Sequence, residues 1–229
     1  MVVIMKTRLI SLQFAYFFNE LVERPDIRFK DINAEVFNIF DAIPQIIPVP
    51  LELPSDVPII ILRSNTNKYV CNISRARLDF ILTRDNDVVS NEELLNDFNV
   101  KLKGLNTSVL GKQDISRFGL VARYFHNNSS AISTIRNKYF QNTVDGSSEL
   151  SLRFNKATDY MGLKVNDIVE ISSAEISINN GALEKGIFIQ RDINNNAIAD
   201  KVIKKEDLHQ ISNKFSQKIT ESEIEGLVR

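Results

Sequence analysis

Apolar and polar residues alternate along several segments, and this period of two is typical of strands with one buried face. In Thr7–Phe18 the even positions from Ile10 onward are apolar, and in Ile115–Asn127 the apolar set is again even-numbered. Two further β-rich runs are the short Val57–Arg63 and the longer Tyr69–Arg84. Turn-forming residues between them predict a hairpin. We therefore expect three long half-buried strands and one shorter strand in the first part of the chain.

Two segments have the period of an amphipathic helix. Ser90 and Glu93 form a capping-box pattern ahead of apolar residues at helical spacing, which predicts a long helix, and Asp31–Asp41 carries a shorter pattern of this kind. The order strand, helix, strand, strand, helix, strand is that of the ferredoxin-like split arrangement. Five of the six prolines lie in Pro44–Pro58, which we expect to be an extended surface connection.

The later part of the chain follows a different plan. Ser130–Phe140 has the pattern of a short helix, and Lys204–Val228 has that of a long charged helix. We expect the long helix to pack on the sheet and to offer its outer edge to an oligomer or a partner. An antiparallel meander is predicted by three β-rich runs between these helices: Leu150–Thr158, Ile168–Ile178 and Gly186–Ile193. Its turns are expected near Met161-Gly162 and at Asn179-Asn180-Gly181.

The fold class that these patterns predict is α+β with a mainly antiparallel sheet. A ferredoxin-like βαββαβ half occupies residues 1–145, and a three-stranded meander with a C-terminal helix occupies residues 146–229. The patterns leave open whether these halves are separate domains or parts of one continuous sheet, because the register between them cannot be read from local alternation.

Composition and charge narrow the class of protein. The 229 residues include 43% hydrophobic residues, which are enough for a core. The formal net charge of −1 disfavours a generally basic nucleic-acid coat. Lys6 and Arg8 precede the apolar run Leu9–Phe18 as in a signal peptide, but Asn19 and Glu20 follow where small cleavage-site residues would stand. We therefore expect a cytoplasmic protein without a membrane segment.

Residues for metal and nucleophile chemistry are scarce. Cys71 is the single cysteine, and the two histidines, His126 and His209, are far apart in the sequence. The motifs G-x-x-x-x-G-K-[ST], G-x-G-x-x-G and G-x-S-x-G do not occur. We therefore expect no cofactor and no need for a tightly bound transition metal. The same inventory favours a protein that is not an enzyme.

One set of polar residues forms a candidate site on the predicted strands. If the even positions face the core, the odd positions face away, and the predicted order places the first strand between the other two. Ser11 and Gln13 are then flanked by four arginines on an open sheet surface that is expected to carry no aromatic residue. The members of this candidate face are Ser11, Gln13, Arg75, Arg77, Asp79, Arg117 and Arg123.

A face of this kind suits a phosphate, a nucleotide, a nucleic acid or an acidic protein partner. RNA-binding sheets of this topology usually stack bases on exposed aromatic rings, so a face without such rings disfavours RNA. The competing interpretation is structural: Asp79 and carboxylates from the second half pair with the arginines, and the face has no binding role.

The stretch Arg117-Phe118-Gly119-Leu120, followed by Arg123-Tyr124 and Asn127, resembles the R-x-G-L-R-Y-x-N motif of a sporadically distributed family of uncharacterised bacterial proteins. Val121 and Ala122 separate the two halves of the motif here. The order of elements is similar as well, from a proline-rich early connection to a C-terminal helix. The resemblance implies an accessory, horizontally acquired role such as host defence against phage, and it supplies no catalytic residue.

Two functions follow as hypotheses. The first is a non-enzymatic binding or regulatory subunit, acting in a homo-oligomer or in a bacterial multiprotein system through a protein partner or self-association. The second is a nucleotide- or nucleic-acid-processing protein that uses the arginine-rich face with an acidic residue such as Asp79. A deep pocket with clustered carboxylates beside the arginines favours the enzyme, whereas a filled or flat face favours the binding protein.

Overall fold

A computed structural model describes residues 6–48, 50, 52–140, 144–177, 183–198 and 201–229. The strands of these residues form one sheet with the order β2-β3-β4-β5-β1-β6-β9-β8-β7, and each neighbouring pair is antiparallel. The nine strands are β1 (Thr7–Phe18), β2 (Gln45–Ile46), β3 (Ile60–Arg63), β4 (Tyr69–Ile73), β5 (Arg77–Thr83), β6 (Ile115–Asn127), β7 (Ser151–Tyr160), β8 (Leu163–Ser177) and β9 (Leu183–Asn195).

The described residues also form helices, all of which pack on one side of this sheet. Phe98 stacks on Phe80 of β5, and Phe215 stacks on Phe118 of β6. No helix in the described part of the chain is long and apolar enough to cross a bilayer. The helices are α1 (Pro25–Arg28), α2 (Ile32–Glu35), α3 (Asn91–Leu110), α4 (Ala131–Tyr139), α5 (Lys205–Ser216) and α6 (Glu221–Glu225), with a 3₁₀ turn at 217–219 between the last two. The α+β class with a mainly antiparallel sheet is thus confirmed.

The central strand β1 shows why the sequence folds this way. It pairs with β5 on one side and with β6 on the other. Its even-numbered Leu12, Phe14 and Tyr16 are completely buried under the helices. The Tyr16 hydroxyl donates a 2.7 Å hydrogen bond to Asn106 Oδ1 of α3, which satisfies a buried polar group. Apolar alternation in β1 therefore fixes which side of the sheet the helices cover.

Several local predictions are confirmed. The bounds of β1 and β6 are those that the alternation predicts. Ser90 Oγ accepts from the Glu93 backbone N–H at 3.2 Å, and Glu93 accepts from the Ser90 N–H at 2.9 Å, so the capping box starts α3. The turn at Met161-Gly162 is present with positive φ at both residues. The turn predicted at Asn179-Asn180-Gly181 lies outside the described residues.

The prediction of one strand over Tyr69–Arg84 is wrong, because a tight turn divides it into β4 and β5. Ser74 makes this turn with its hydroxyl, which accepts from the backbone N–H of Ala76 at 3.2 Å and of Arg77 at 3.1 Å. The buried set changes from odd positions in β4 to even positions in β5. The turn causes this change of parity. Arg75 lies in the turn rather than in a strand.

The helix predicted over Asp31–Asp41 is also wrong in length. It is the single turn α2, which ends before Phe37 and Asn38, both of which have positive φ, 62° and 54°. The Asn33 side chain bonds the N–H and the C=O of Phe40 at 3.0 and 2.9 Å. A local side-chain contact thus replaces helical hydrogen bonds.

The C-terminal segment Lys204–Val228 packs on the sheet but is not one helix. The carbonyl of Lys218 accepts from Arg191 Nη1 at 2.6 Å, and the carbonyl of Ile219 accepts from the Tyr124 hydroxyl at 2.7 Å. These carbonyls are therefore taken by side chains of the sheet, and the chain is extended at Thr220 before α6 begins. The connection Pro44–Pro58 contains the two-residue strand β2 at the edge of the sheet.

The two predicted halves share the sheet through β6 and β9, which pair from Gly119–Asn194 to Asn127–Gly186. A buried ion pair next to this seam anchors the C-terminal turn. Arg191 Nε and Nη2 each lie 2.8 Å from a carboxylate oxygen of Asp167, and Lys218 Nζ is also 2.8 Å from this carboxylate. Burial opposes the charge of Asp167, but the hydrogen bonds of Arg191 and Lys218 outweigh it and lower the pKa of the carboxyl. The cluster therefore holds β8, β9 and the 3₁₀ turn together.

Asp167→Ala is expected to reduce the free energy of unfolding by about 3–5 kcal/mol, because it leaves Arg191 buried without its carboxylate. Urea unfolding followed by circular dichroism measures this. The matched control is Glu23→Ala, which removes an exposed carboxylate from the loop before α1 and should change little. The double variant Asp167→Leu with Arg191→Met should recover most of the loss. Equal effects of Asp167→Ala and Glu23→Ala would contradict this account.

Candidate functional site

The side of the sheet opposite the helices is covered by no described helix, and we call it the open face. Its centre consists of the odd-numbered residues of β1, β5 and β6 and the even-numbered residues of β9 and β8, which the strand register brings side by side. Six of the seven predicted site residues lie there: Ser11, Gln13, Arg77, Asp79, Arg117 and Arg123. The seventh, Arg75, lies in the β4–β5 turn, where its Nη2 donates to the Leu53 carbonyl at 2.9 Å.

One row of polar side chains crosses five strands of the open face. Arg123 on β6 donates from Nε to Gln190 Oε1 on β9 at 2.8 Å, and its Nη1 lies 3.5 Å from Ser11 Oγ on β1. Gln190 donates in turn to Glu170 of β8 at 3.4 Å, and Glu170 forms a 3.0 Å ion pair with Arg153 of β7. The row therefore holds the guanidinium of Arg123 in place through neutral oxygens.

A second group surrounds Asp79, which is only 4% exposed although it lies on the open face. Gln13 Nε2 donates to one carboxylate oxygen at 3.0 Å, and Arg77 Nε lies 2.8 Å from the other. Burial raises the pKa of the Asp79 carboxyl above its usual value, and the charge of Arg77 with the hydrogen bond from Gln13 only partly offsets this. Asp79 is thus committed to Arg77 and Gln13.

The expectation that this face carries no aromatic residue is wrong. Phe17 of β1 is partly exposed and lies between two guanidinium groups. The Cζ of Arg117 is 4.5 Å from the centroid of its ring, and that of Arg77 is 5.7 Å away. Cation–π contact with two arginines occupies the ring, which is therefore unlike the open stacking platform of an RNA-binding sheet.

The arginines of the open face differ in how their charges are compensated. Arg77 and Arg153 have carboxylate partners, Asp79 and Glu170. Arg117 donates to the Asn195 carbonyl at 3.1 Å, and Arg123 bonds only Gln190 and Ser11. Neither of these two has a carboxylate within 4.0 Å among the described residues. The centre of the open face thus keeps two positive charges that neutral groups orient.

Other titratable residues are placed away from this centre. Cys71 is completely buried in the core, and burial raises the pKa of its thiol well above the usual range. His126 is buried with its Nδ1 2.8 Å from Thr7 Oγ1, on the helix side of the sheet. The described residues contain no group of three His, Cys, Asp or Glu placed to hold a metal ion. The geometry of the open face suits the recognition of an anion.

Phe17, Gln190, Glu170 and Arg153 belong to the open face but were not among the predicted residues. Phe17 has the same odd parity as Ser11 and Gln13, so the alternation of β1 already places it there. The other three depend on the pairing of β6 with β9, β8 and β7, for which the sequence has no local signal.

No family model and no curated protein matches this chain.

Asp79→Asn is expected to gain stability relative to the wild type as the pH rises from acidic to neutral. The folded-state pKa of Asp79 lies above its unfolded value, so the wild type loses stability as the carboxyl ionises, and the variant has no such loss. Thermal unfolding at a series of pH values measures the difference. Asp192→Asn, which removes another carboxylate from the same face, is the control for net charge. A difference between Asp79→Asn and wild type that is constant or falls with rising pH would contradict the account.

Proposed function

We propose that this protein is a non-enzymatic binding or regulatory subunit of a bacterial multiprotein system, and that its open face binds an acidic protein partner. The observation that supports this most directly is the pair Arg117 and Arg123. Both guanidinium groups project from β6, the strand next to the central strand β1, and are held by neutral oxygens only, within the described part of the chain. A charge that is fixed in place but not compensated is available to a partner.

The chemistry of the two arginines favours carboxylates as ligands. A guanidinium presents paired N–H groups that match a carboxylate, and these charge-assisted hydrogen bonds are among the strong ones in proteins. Because Gln190, Ser11 and the Asn195 carbonyl already orient the side chains, binding costs little additional side-chain entropy.

The runner-up is a nucleotide- or nucleic-acid-processing protein, since guanidinium groups bind phosphate as well. Asp79, a buried carboxylate beside these arginines, is the observation in its favour. Two features favour the protein partner instead. Asp79 already binds Arg77 and Gln13, and the ring of Phe17 already makes cation–π contacts with Arg117 and Arg77.

The proposal also includes a ferredoxin-like unit in the first half of the chain and an accessory role in the cell. The order β4-β5-β1-β6, with α3 connecting β5 to β6, supports a ferredoxin-like unit within residues 1–145. The resemblance of residues 117–127 to the motif of a bacterial family supports an accessory cytoplasmic role such as host defence. The binding surface is proposed on the structure of the open face and does not depend on either statement.

The double variant Arg117→Ala with Arg123→Ala should lose binding to an acidic polypeptide by at least about tenfold, because each charge-assisted hydrogen bond contributes roughly 1.5 kcal/mol or more. Fluorescence anisotropy with labelled polyglutamate measures the affinity at several salt concentrations. The wild type should bind more weakly as salt rises, and the double variant should depend less on salt.

Arg24→Ala with Arg28→Ala is the matched control, because it removes the same charge from residues next to and within α1, away from the open face. This control should bind as the wild type does. A single-stranded oligonucleotide of similar length, tested in parallel, separates the two functions. Tighter binding of the oligonucleotide than of polyglutamate would favour the runner-up, and equal loss in the control and the double variant would contradict the proposed surface.

A further inference from the structure

The two edges of the sheet differ in how they are protected. β2 has only two residues, and Pro44 and Pro48 flank it closely, so that this edge offers little backbone for further pairing. β7, at the other edge, runs for ten residues without proline or glycine. It pairs with β8 in a continuous register without a bulge. Proteins usually shorten, twist, charge or block an edge of this length. β7 carries the charges of Arg153, Lys156 and Asp159, but its backbone stays regular, and no described strand pairs with its outer side.

The register shows which backbone groups of β7 point outward. Ser173 N donates to the Leu150 carbonyl at 2.9 Å, so this pair is a hydrogen-bonded one, and such pairs recur at every second residue of an antiparallel ladder. The two-residue turn between Tyr160 and Leu163 fits the same alternation of hydrogen-bonded pairs along the ladder. Even-numbered residues of β7 therefore bond to β8. The residues that direct their N–H and C=O groups away from the sheet are Ser151, Arg153, Asn155, Ala157 and Asp159, all of them exposed.

We propose that this edge pairs with the same edge of a second copy of the chain, antiparallel and around a two-fold axis. The charges of β7 indicate both the partner and the direction. Arg153 lies near the start of the strand and Asp159 near its end. Antiparallel self-pairing brings Arg153 of each copy toward Asp159 of the other, whereas parallel pairing would place like charges together.

This register places the two Lys156 side chains opposite each other at the two-fold axis, which is an unfavourable like-charge pair. Two Arg153–Asp159 pairs outweigh it, and Lys156 is exposed, with its Nζ 5.9 Å from the centroid of the Phe154 ring on its own strand. A two-fold axis perpendicular to the sheet would keep the open faces of both copies on the same side. The pairing uses the backbone edge of β7 with Arg153 and Asp159, and it does not involve Arg117 or Arg123.

Sedimentation velocity of the full chain over a concentration series tests this pairing. The wild type should form a concentration-dependent species of twice the 26.1 kDa chain mass. Ala157→Pro should remain monomeric at the same concentrations, because proline removes an outward N–H without removing a bond to β8. Ala157→Thr keeps this N–H and is the matched control, which should dimerise.

Charge reversal gives a second test that does not depend on how well proline is tolerated. Arg153→Glu should weaken the dimer, and Arg153→Glu with Asp159→Lys should restore it, because the opposite charges then face each other again. Circular dichroism establishes that each variant is folded. A wild type that is monomeric throughout the series, a folded Ala157→Pro variant that still dimerises, or a dimer that is indifferent to Arg153→Glu would each overturn the proposal.

Discussion

One-sided burial is the constraint on which the rest of this structure depends. Every described helix packs on the same side of the sheet, so in the regular part of β1, from Ser11 to Phe17, the parity of a residue decides whether its side chain points toward the helices or away from them. In β1, Leu12, Phe14 and Tyr16 bind the helix layer, while Ser11 and Gln13 face outward. A shift of one residue in β1 would expose three large side chains, and this cost fixes the register of the strand.

The chemistry of the open face follows from this constraint. Outward positions need not be apolar, and Arg117 and Arg123 of β6 have neutral oxygens as their hydrogen-bond partners. A different solution holds on the helix side, where Arg191 is buried and requires the bidentate carboxylate of Asp167. The buried Arg191 thus has a carboxylate partner, whereas the partly exposed Arg117 and Arg123 are held by neutral oxygens, because burial determines how much charge compensation an arginine needs.

The parts of the fold that could be predicted have local signals. Alternation defines β1 and β6, and Ser90 with Glu93 defines the start of α3. The turn at Ser74 was missed because its signal, a change in the parity of buried residues, is visible only when β4 and β5 are compared. Most of the predicted face could be assigned from parity within single strands. Its extension to Gln190 depends on the pairing of β6 with β9, which joins distant parts of the chain, and no local pattern encodes such a register.

The central claim is that the charges of Arg117 and Arg123 are available to an acidic partner. Its most direct test is an NMR titration that follows the arginine Nε–H resonances while polyglutamate is added. We predict that the resonances of Arg117 and Arg123 shift together with saturation, and that the resonance of Arg191, which is bound to Asp167, stays in place. Shifts confined to exposed arginines outside the open face, such as Arg24, with Arg117 and Arg123 unchanged, would contradict the account.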